Sequence, residues 1–201
     1  MIKRFSIFIL MLAGVSIFTS CGSGNQSEAD ASDETANIAQ TITYEEVNAA
    51  QQAWCDALLA IGKTYDEGGD YKALANQVLT DAYDYDNGKV FFKPTLAYGK
   101  NTFRKTKEGA LSYFIGGDAN FPEDKGFALK PWVKASYDNL GDGNEGIQIY
   151  GNIAITMGNV YFTGKDGSEV MVDKTFVFKK GDDGKLRLIV HKSALPFDPS
   201  K

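Results

Sequence analysis

Apolar positions change their spacing along the chain, from three and four residues apart to every second residue, and the change marks the order of elements. In "TYEEVNAAQQAWCDALLAIG", Val47, Ala50, Trp54, Leu58 and Ile61 recur at helical spacing, which predicts a helix with one buried face. Thr43 stands three residues before Glu46, a capping box that starts it. A second helix is predicted in "GDYKALANQVLTDAYDY", burying Leu74, Val78, Leu79 and Ala82, and a short third in "TKEGALSYFIGG", stopped by Gly116 and Gly117. Between them "KVFFKPTLA" reads as a short strand whose Pro94 belongs at an edge or bulge. The C-terminal part alternates: in "GIQIYGNIAITMG", Ile147, Ile149, Ile153, Ile155 and Met157 are expected on one face, with Gln148, Tyr150, Asn152 and Thr156 on the other. Hairpin turns are signalled by "KDG" at 165–167 and "GDDGK" at 181–185. Helices first and strands later predict an α+β domain, three helices packed on a meandering, largely antiparallel sheet of four to six strands.

The first forty residues have a different composition. Residues 1–20 carry Lys3 and Arg4, then an apolar run, then "FTS" before Cys21. This is the pattern of a secretory signal, too short to span a bilayer. The "FTSC" stretch resembles a bacterial lipobox, which makes Cys21 the expected acylated first residue of the mature chain. Residues 21–40 are small, polar and acidic, with almost nothing to bury, and are expected to be a disordered tether. The folded domain is then 41–201, held at the bacterial cell envelope, periplasmic or surface-exposed, by its lipid anchor alone. Loss of Lys3 and Arg4 with the leader moves the formal charge from −5 to −7. Such an acidic chain argues against nucleic acid or anionic lipid as a partner. With Cys21 acylated, Cys55 is the remaining thiol, so no intrachain disulfide forms; its helical, apolar setting makes it a packing residue.

Chemistry is bounded by scarcity. His191 is the single histidine of the 201 residues, so a zinc site built on three histidines, or on two cysteines and a histidine, has no ligand set. A carboxylate-rich Mg²⁺ or Mn²⁺ site stays open, and Mn or Zn stays open as a cofactor. The acidic runs "DAYDYDNGK" and "GDGNEG" lack the full spacing of a calcium loop and read as turns and solvated surface, and no serine lies in G-x-S-x-G.

The order of elements resembles the cone of nuclear transport factor 2 and the SnoaL-like proteins, a curved sheet wrapped around a helix. More specifically, "VFFKPTLA", "FRKTKEGALSYFIGG", "EDKGFALKPW", "MGNVYF" and "LRLIVHKSALPF" are similar, in collinear order, to successive blocks of the iota-class carbonic anhydrases, a family related to the association domain of calmodulin-dependent kinase II. The resemblance implies reversible hydration of CO₂ to bicarbonate. It places Thr95, Tyr113, His191 and Ser193 in the catalytic site, with Arg104 and Trp132 as candidates to line the pocket or orient it, and it implies no cofactor, since hydroxyl side chains hold water and bicarbonate in metal-free members. A homodimer packed sheet to sheet is the oligomer this architecture suggests by analogy.

The family's His-His-Ser-Ser stretch reads His191, Lys192, Ser193, Ala194 here. Strand alternation puts Arg187, Ile189, His191 and Ser193 on one side and Leu188, Val190, Lys192 and Ala194 on the other, so both departures fall off the face of His191. The contrasting reading is a non-catalytic SnoaL-like lipoprotein that binds a small molecule or anion, for which Lys192 and Ala194 are the main support.

Overall fold

A computed structural model describes residues 41–141 and 143–200. The leader, Cys21 and the tether lie outside the described residues. Helix α1 (Tyr44–Asp66) starts where Thr43 and Glu46 exchange backbone and side-chain hydrogen bonds of 2.9 and 3.2 Å. It buries Val47, Gln51, Trp54, Cys55, Leu58 and Ile61. Each large apolar side chain so buried contributes about 1.5–3 kcal/mol. Helix α2 (Tyr71–Ala82) is capped by Asp70 and buries Ala75 and Leu79, while Leu74, Val78 and Ala82 pack at its margin. Helix α3 (Lys107–Ile115) is capped by Thr106 and stops at Gly116, whose φ of +68° a side chain would strain.

Six strands of the described residues form one sheet: β1 (Phe91–Lys93), β2 (Trp132–Asp138), β3 (Ile147–Tyr150), β4 (Ile153–Gly164), β5 (Glu169–Lys180) and β6 (Leu186–Ala194). Their order is β1-β6-β5-β4-β2, with β3 also paired to β4, beyond the end of β2. All pairings are antiparallel except that of β1 with β6. As expected of a strand that runs into a proline, β1 is at the sheet edge. Helix α1 covers the inner face: the ring of Trp54 lies 5.5 Å from that of Phe176 on β5. A reciprocal amide pair, Gln51 with Asn139, ties α1 to the end of β2 through bonds of 2.9 and 2.8 Å. No helix of the described residues is long and apolar enough to cross a membrane.

Two face assignments differ from the alternation expected. Ile147 and Ile149 of β3 pair with Thr156 and Ala154 of β4, and directly opposed residues share a face. Ala154 and Thr156 are therefore inside, and Ile155 and Met157 are exposed on the outer face. The two-residue turn at Gly151 and Asn152 reverses the chain, so apolar spacing cannot be read across it. In β6 the register jumps from Val177–Val190 to Phe178–Leu188, leaving Ile189 as an extra, unpaired residue. Past this bulge Leu188, not Arg187 or Ile189, shares the buried side with His191 and Ser193. Arg187 instead lines a polar hollow with Asp84 and pairs with Asp183 at 2.7 Å.

Candidate active site

The site forms where β1, β5, β6 and α3 meet beneath a cleft of about 900 Å³ that Thr95, Leu96, Phe127, Trp132 and Lys130 help to line. Parallel pairing sets Phe92 against His191 and Lys93 against Lys192, so the turn after Pro94 delivers Thr95 to the end of β6. There the Thr95 and Ser193 hydroxyls lie 2.7 Å apart. From α3, the Tyr113 hydroxyl reaches the same turn, accepting the backbone N–H of Leu96 at 3.4 Å. Burial pushes the Tyr113 phenol up to about 12, so it serves as a neutral O–H donor at any physiological pH.

Behind the hydroxyls lies a buried polar chain. Lys174 of β5 stands opposite Ser193 in register, 3% exposed, with Nζ 3.3 Å from Ser193 Oγ and 3.0 Å from His191 Nε2. His191 Nδ1 meets the Tyr83 hydroxyl at 2.8 Å, and Trp54 Nε1–H donates to that hydroxyl at 3.0 Å. The imidazole is stacked on Phe92 at 4.5 Å and edge-on to Phe176 at 4.7 Å. Burial first, then the neighbouring Lys174 charge, hold His191 well below the usual imidazole range. Burial likewise drives the Lys174 ammonium down to about 7. His191 is thus both a packed core ring and a bonded member of the site, with both nitrogens taken by side chains.

Thr95, Tyr113, Ser193 and His191 are brought together, and Trp132 joins them at the cleft wall. Arg104 is placed elsewhere. Its guanidinium, wholly buried, pairs with Asp124 at 2.6 Å, approaches Glu123 at 3.6 Å, donates to the Asn101 carbonyl and lies over the Phe121 ring. Asp124 also accepts from Ser112 of α3, so Arg104 fastens the β1–α3 connection under the site. Cys55 is fully buried, and desolvation raises its thiol to about 12, as befits a packing residue.

Sequence reasoning missed Lys174 and Tyr83. In "EVMVDKTFVF" the lysine occupies the same parity as Val170, Val172, Phe176 and Phe178, a cation in the middle of an inward apolar row, and that was its signal. Tyr83 fell within an acidic run read as solvated surface, yet it is 1% exposed. Among the described residues no cluster of three or more His, Cys, Asp or Glu is placed to hold a metal ion.

The family model described as metal-independent carbonic anhydrase matches residues 45–195, three quarters of the chain. The chain belongs to this family. A metal-independent carbonic anhydrase of Nostoc sp. (strain PCC 7120 / SAG 25.82 / UTEX 2576) is 48% identical over 193 residues, covering 94% of this chain and 92% of that protein. The crystal structure of a cyanobacterial iota-carbonic anhydrase complexed with bicarbonate shares 53% identity and superposes with a TM-score of 0.75, covering 79% of this chain and 95% of the other. A putative dehydratase of the NTF2-like family from Streptomyces avermitilis, 14% identical, gives a TM-score of 0.47 over 77% of this chain and 96% of its own. The fold is the α+β arrangement that the order of elements suggests, helices packed on a largely antiparallel sheet, and it is shared with the iota-carbonic anhydrase structure.

Proposed function

We propose that the protein catalyses the reversible hydration of CO₂ to bicarbonate without a metal cofactor. The observation that carries this reading is the contact of Thr95 and Ser193 hydroxyls at 2.7 Å with the Tyr113 hydroxyl beside them, under a cleft open to solvent, in a chain of this family. Water held by Thr95 attacks the carbon of CO₂ and sheds one proton as the C–O bond forms. Negative charge collects on the two carboxylate oxygens of the product, where the Tyr113 O–H is a fixed donor of the kind that stabilises a developing anion. Lys93, whose Nζ donates to the Ser193 carbonyl at 2.9 Å, and Lys130 at the cleft wall add positive potential for the bicarbonate anion. A one-histidine chain whose imidazole nitrogens are committed to Tyr83 and Lys174 supports a metal-free reaction. The contrasting binding-module reading rested on Lys192 and Ala194; Lys192 is exposed and paired with Asp173, off the hydroxyl face.

Stopped-flow CO₂ hydration by the purified full chain tests the proposal. Activity is expected to survive exhaustive chelation by EDTA. Loss on chelation with recovery on adding Mn²⁺ or Zn²⁺ would refute the metal-free reading, and an inert protein would refute the enzyme.

The reading extends to location and assembly. Acylation at Cys21 would hold the domain at the bacterial envelope, each buried CH₂ of the acyl chains contributing about 0.8 kcal/mol. Cys21→Ser is expected to move the protein from the membrane to the soluble fraction with its melting temperature unchanged. A variant that still sediments with membranes overturns the anchor. The exposed apolar side chains Ile155, Met157, Tyr161 and Met171 on the outer sheet face support a homodimer through that face.

A further inference from the structure

Hydration of CO₂ must release a proton, and Thr95, Ser193 and Tyr113 are donors and conduits with no basicity of their own near neutral pH. His191 is the base the sequence offers, yet its Nε2 faces Lys174 and its Nδ1 faces Tyr83. The basic group that touches the hydroxyl pair is Lys174, 3.3 Å from Ser193 Oγ, which in turn is 2.7 Å from Thr95 Oγ1 at the cleft. We propose that Lys174 is the proton acceptor at the inner end of this chain, receiving through Thr95 and Ser193 the proton shed by the attacking water, while His191 holds and tunes the amine.

The step balances without another reagent. Water passes a proton to the Thr95 hydroxyl, Thr95 passes its own to Ser193, and Ser193 passes its own to the lone pair of neutral Lys174. The C–O bond of bicarbonate forms as the ammonium forms, and the ammonium later returns its proton along the same chain to a base in solution. His191 needs no change of tautomer in this cycle. With Nε2 as acceptor, it takes one Lys174 N–H in both protonation states, and its Nδ1–H points to Tyr83. In the reverse reaction the ammonium is the acid that supplies the proton to bicarbonate.

The surroundings leave the amine free to do this. Asp173, its sequence neighbour, faces the other side of β5 and pairs with Lys192. Trp54 offers its ring face to Nζ at 4.5 Å, and His191 offers a lone pair, so the cation is supported without a carboxylate that would lock it. Burial opposes that support, which is why the ammonium titrates at about 7 rather than near the ordinary lysine value. The other ionisable groups around it do not titrate there. His191 on β6 lies well below; Cys55 on α1, Tyr137 on β2 and Tyr83 after α2 are all pushed upward by burial. Lys93 on β1, lowered mainly by burial, is only half-buried where Lys174 is fully buried, and it contacts the Ser193 carbonyl, not the hydroxyl.

This inference rests on the carbonic anhydrase reading, and the test separates the two. For the wild-type full chain, kcat for hydration is expected to rise with pH through a midpoint at about 7, where the amine becomes neutral, and kcat for dehydration to fall through the same midpoint. Lys174→Met and Lys174→Arg should each lower hydration kcat by about 10²–10⁴-fold and remove the midpoint, the arginine because it keeps the charge but cannot give up its proton. A purely structural lysine would lower the rate and leave the midpoint. Should Lys174→Met fail to fold, wild-type protein labelled with ¹⁵N-lysine still decides: one side-chain nitrogen must titrate near neutrality and be missing in Lys174→Arg. An active enzyme whose Lys174 variants keep the midpoint, or in which no lysine titrates there, overturns the relay alone. An inactive wild type overturns both relay and function.

Discussion

Ser193→Ala and Thr95→Val should each reduce CO₂ hydration about 10²-fold or more, the usual loss when a preorganised hydrogen-bonding group is removed from such a site. Each change interrupts the chain at the 2.7 Å contact while altering side-chain volume by little more than one atom. Thr95→Ser keeps the hydroxyl and should recover most of the rate. On the opposite face of β6, Lys192→His and Ala194→Ser restore the family's letters without entering the site, and their rates should stay near that of the wild type. Stopped-flow assays on all five variants, each with a thermal melt to certify folding, read this asymmetry. A pair of restoring changes that switched on an inert parent would instead assign the natural protein to binding and make His191 a remnant.

Arg104→Ala is expected to cost about 3–5 kcal/mol of stability, because it strands the buried Asp124 carboxylate that the guanidinium neutralises. Asp124 would retain only the Ser112 hydroxyl at 2.7 Å, and the Asn101 carbonyl would lose its donor. Urea unfolding measures the loss. The double change Arg104→Met with Asp124→Leu removes both charges together and should recover a large part of it, since an apolar pair of similar bulk avoids the desolvation cost. A loss below about 1 kcal/mol in Arg104→Ala, the range of exposed ion pairs, would show that the site is wet and that Arg104 is free to serve the substrate. Any fall in activity of Arg104→Lys should therefore track unfolding and leave KM for CO₂ unchanged in the folded fraction.

Much of the fold was legible because its signals are local. The exchange between Thr43 and Glu46 spans one turn, the stop at Gly116 depends on a single φ, and the turns at 165–167 and 181–185 connect β4 to β5 and β5 to β6 as their residues indicate. His191 and Ser193 share a buried face for the same reason: alternation over two residues is a property of any strand, and the bulge at Ile189 lies upstream of both. Where the chain reverses or slips, local spacing fails. The turn at Gly151 put Ile155 and Met157 on the outer face, and Ile189 sent Arg187 to a different hollow.

The sequence by itself determined the helical start, the alternating end and the shortage of metal ligands, and its resemblance in collinear blocks singled out Thr95, Tyr113, His191 and Ser193 as candidates. Only the tertiary structure decided what those residues touch. Thr95 meets Ser193 across 98 positions because β1 joins β6 in parallel, and Tyr83 meets His191 across 108. Lys174 faces Ser193 because the β5–β6 register sets them opposite each other. Inward parity marks a lysine as buried; it does not say whether a carboxylate, a ring or a hydroxyl waits on the next strand. That partner fixes the charge of the amine, since desolvation without a counter-ion lowers an ammonium that an acidic neighbour would have held up.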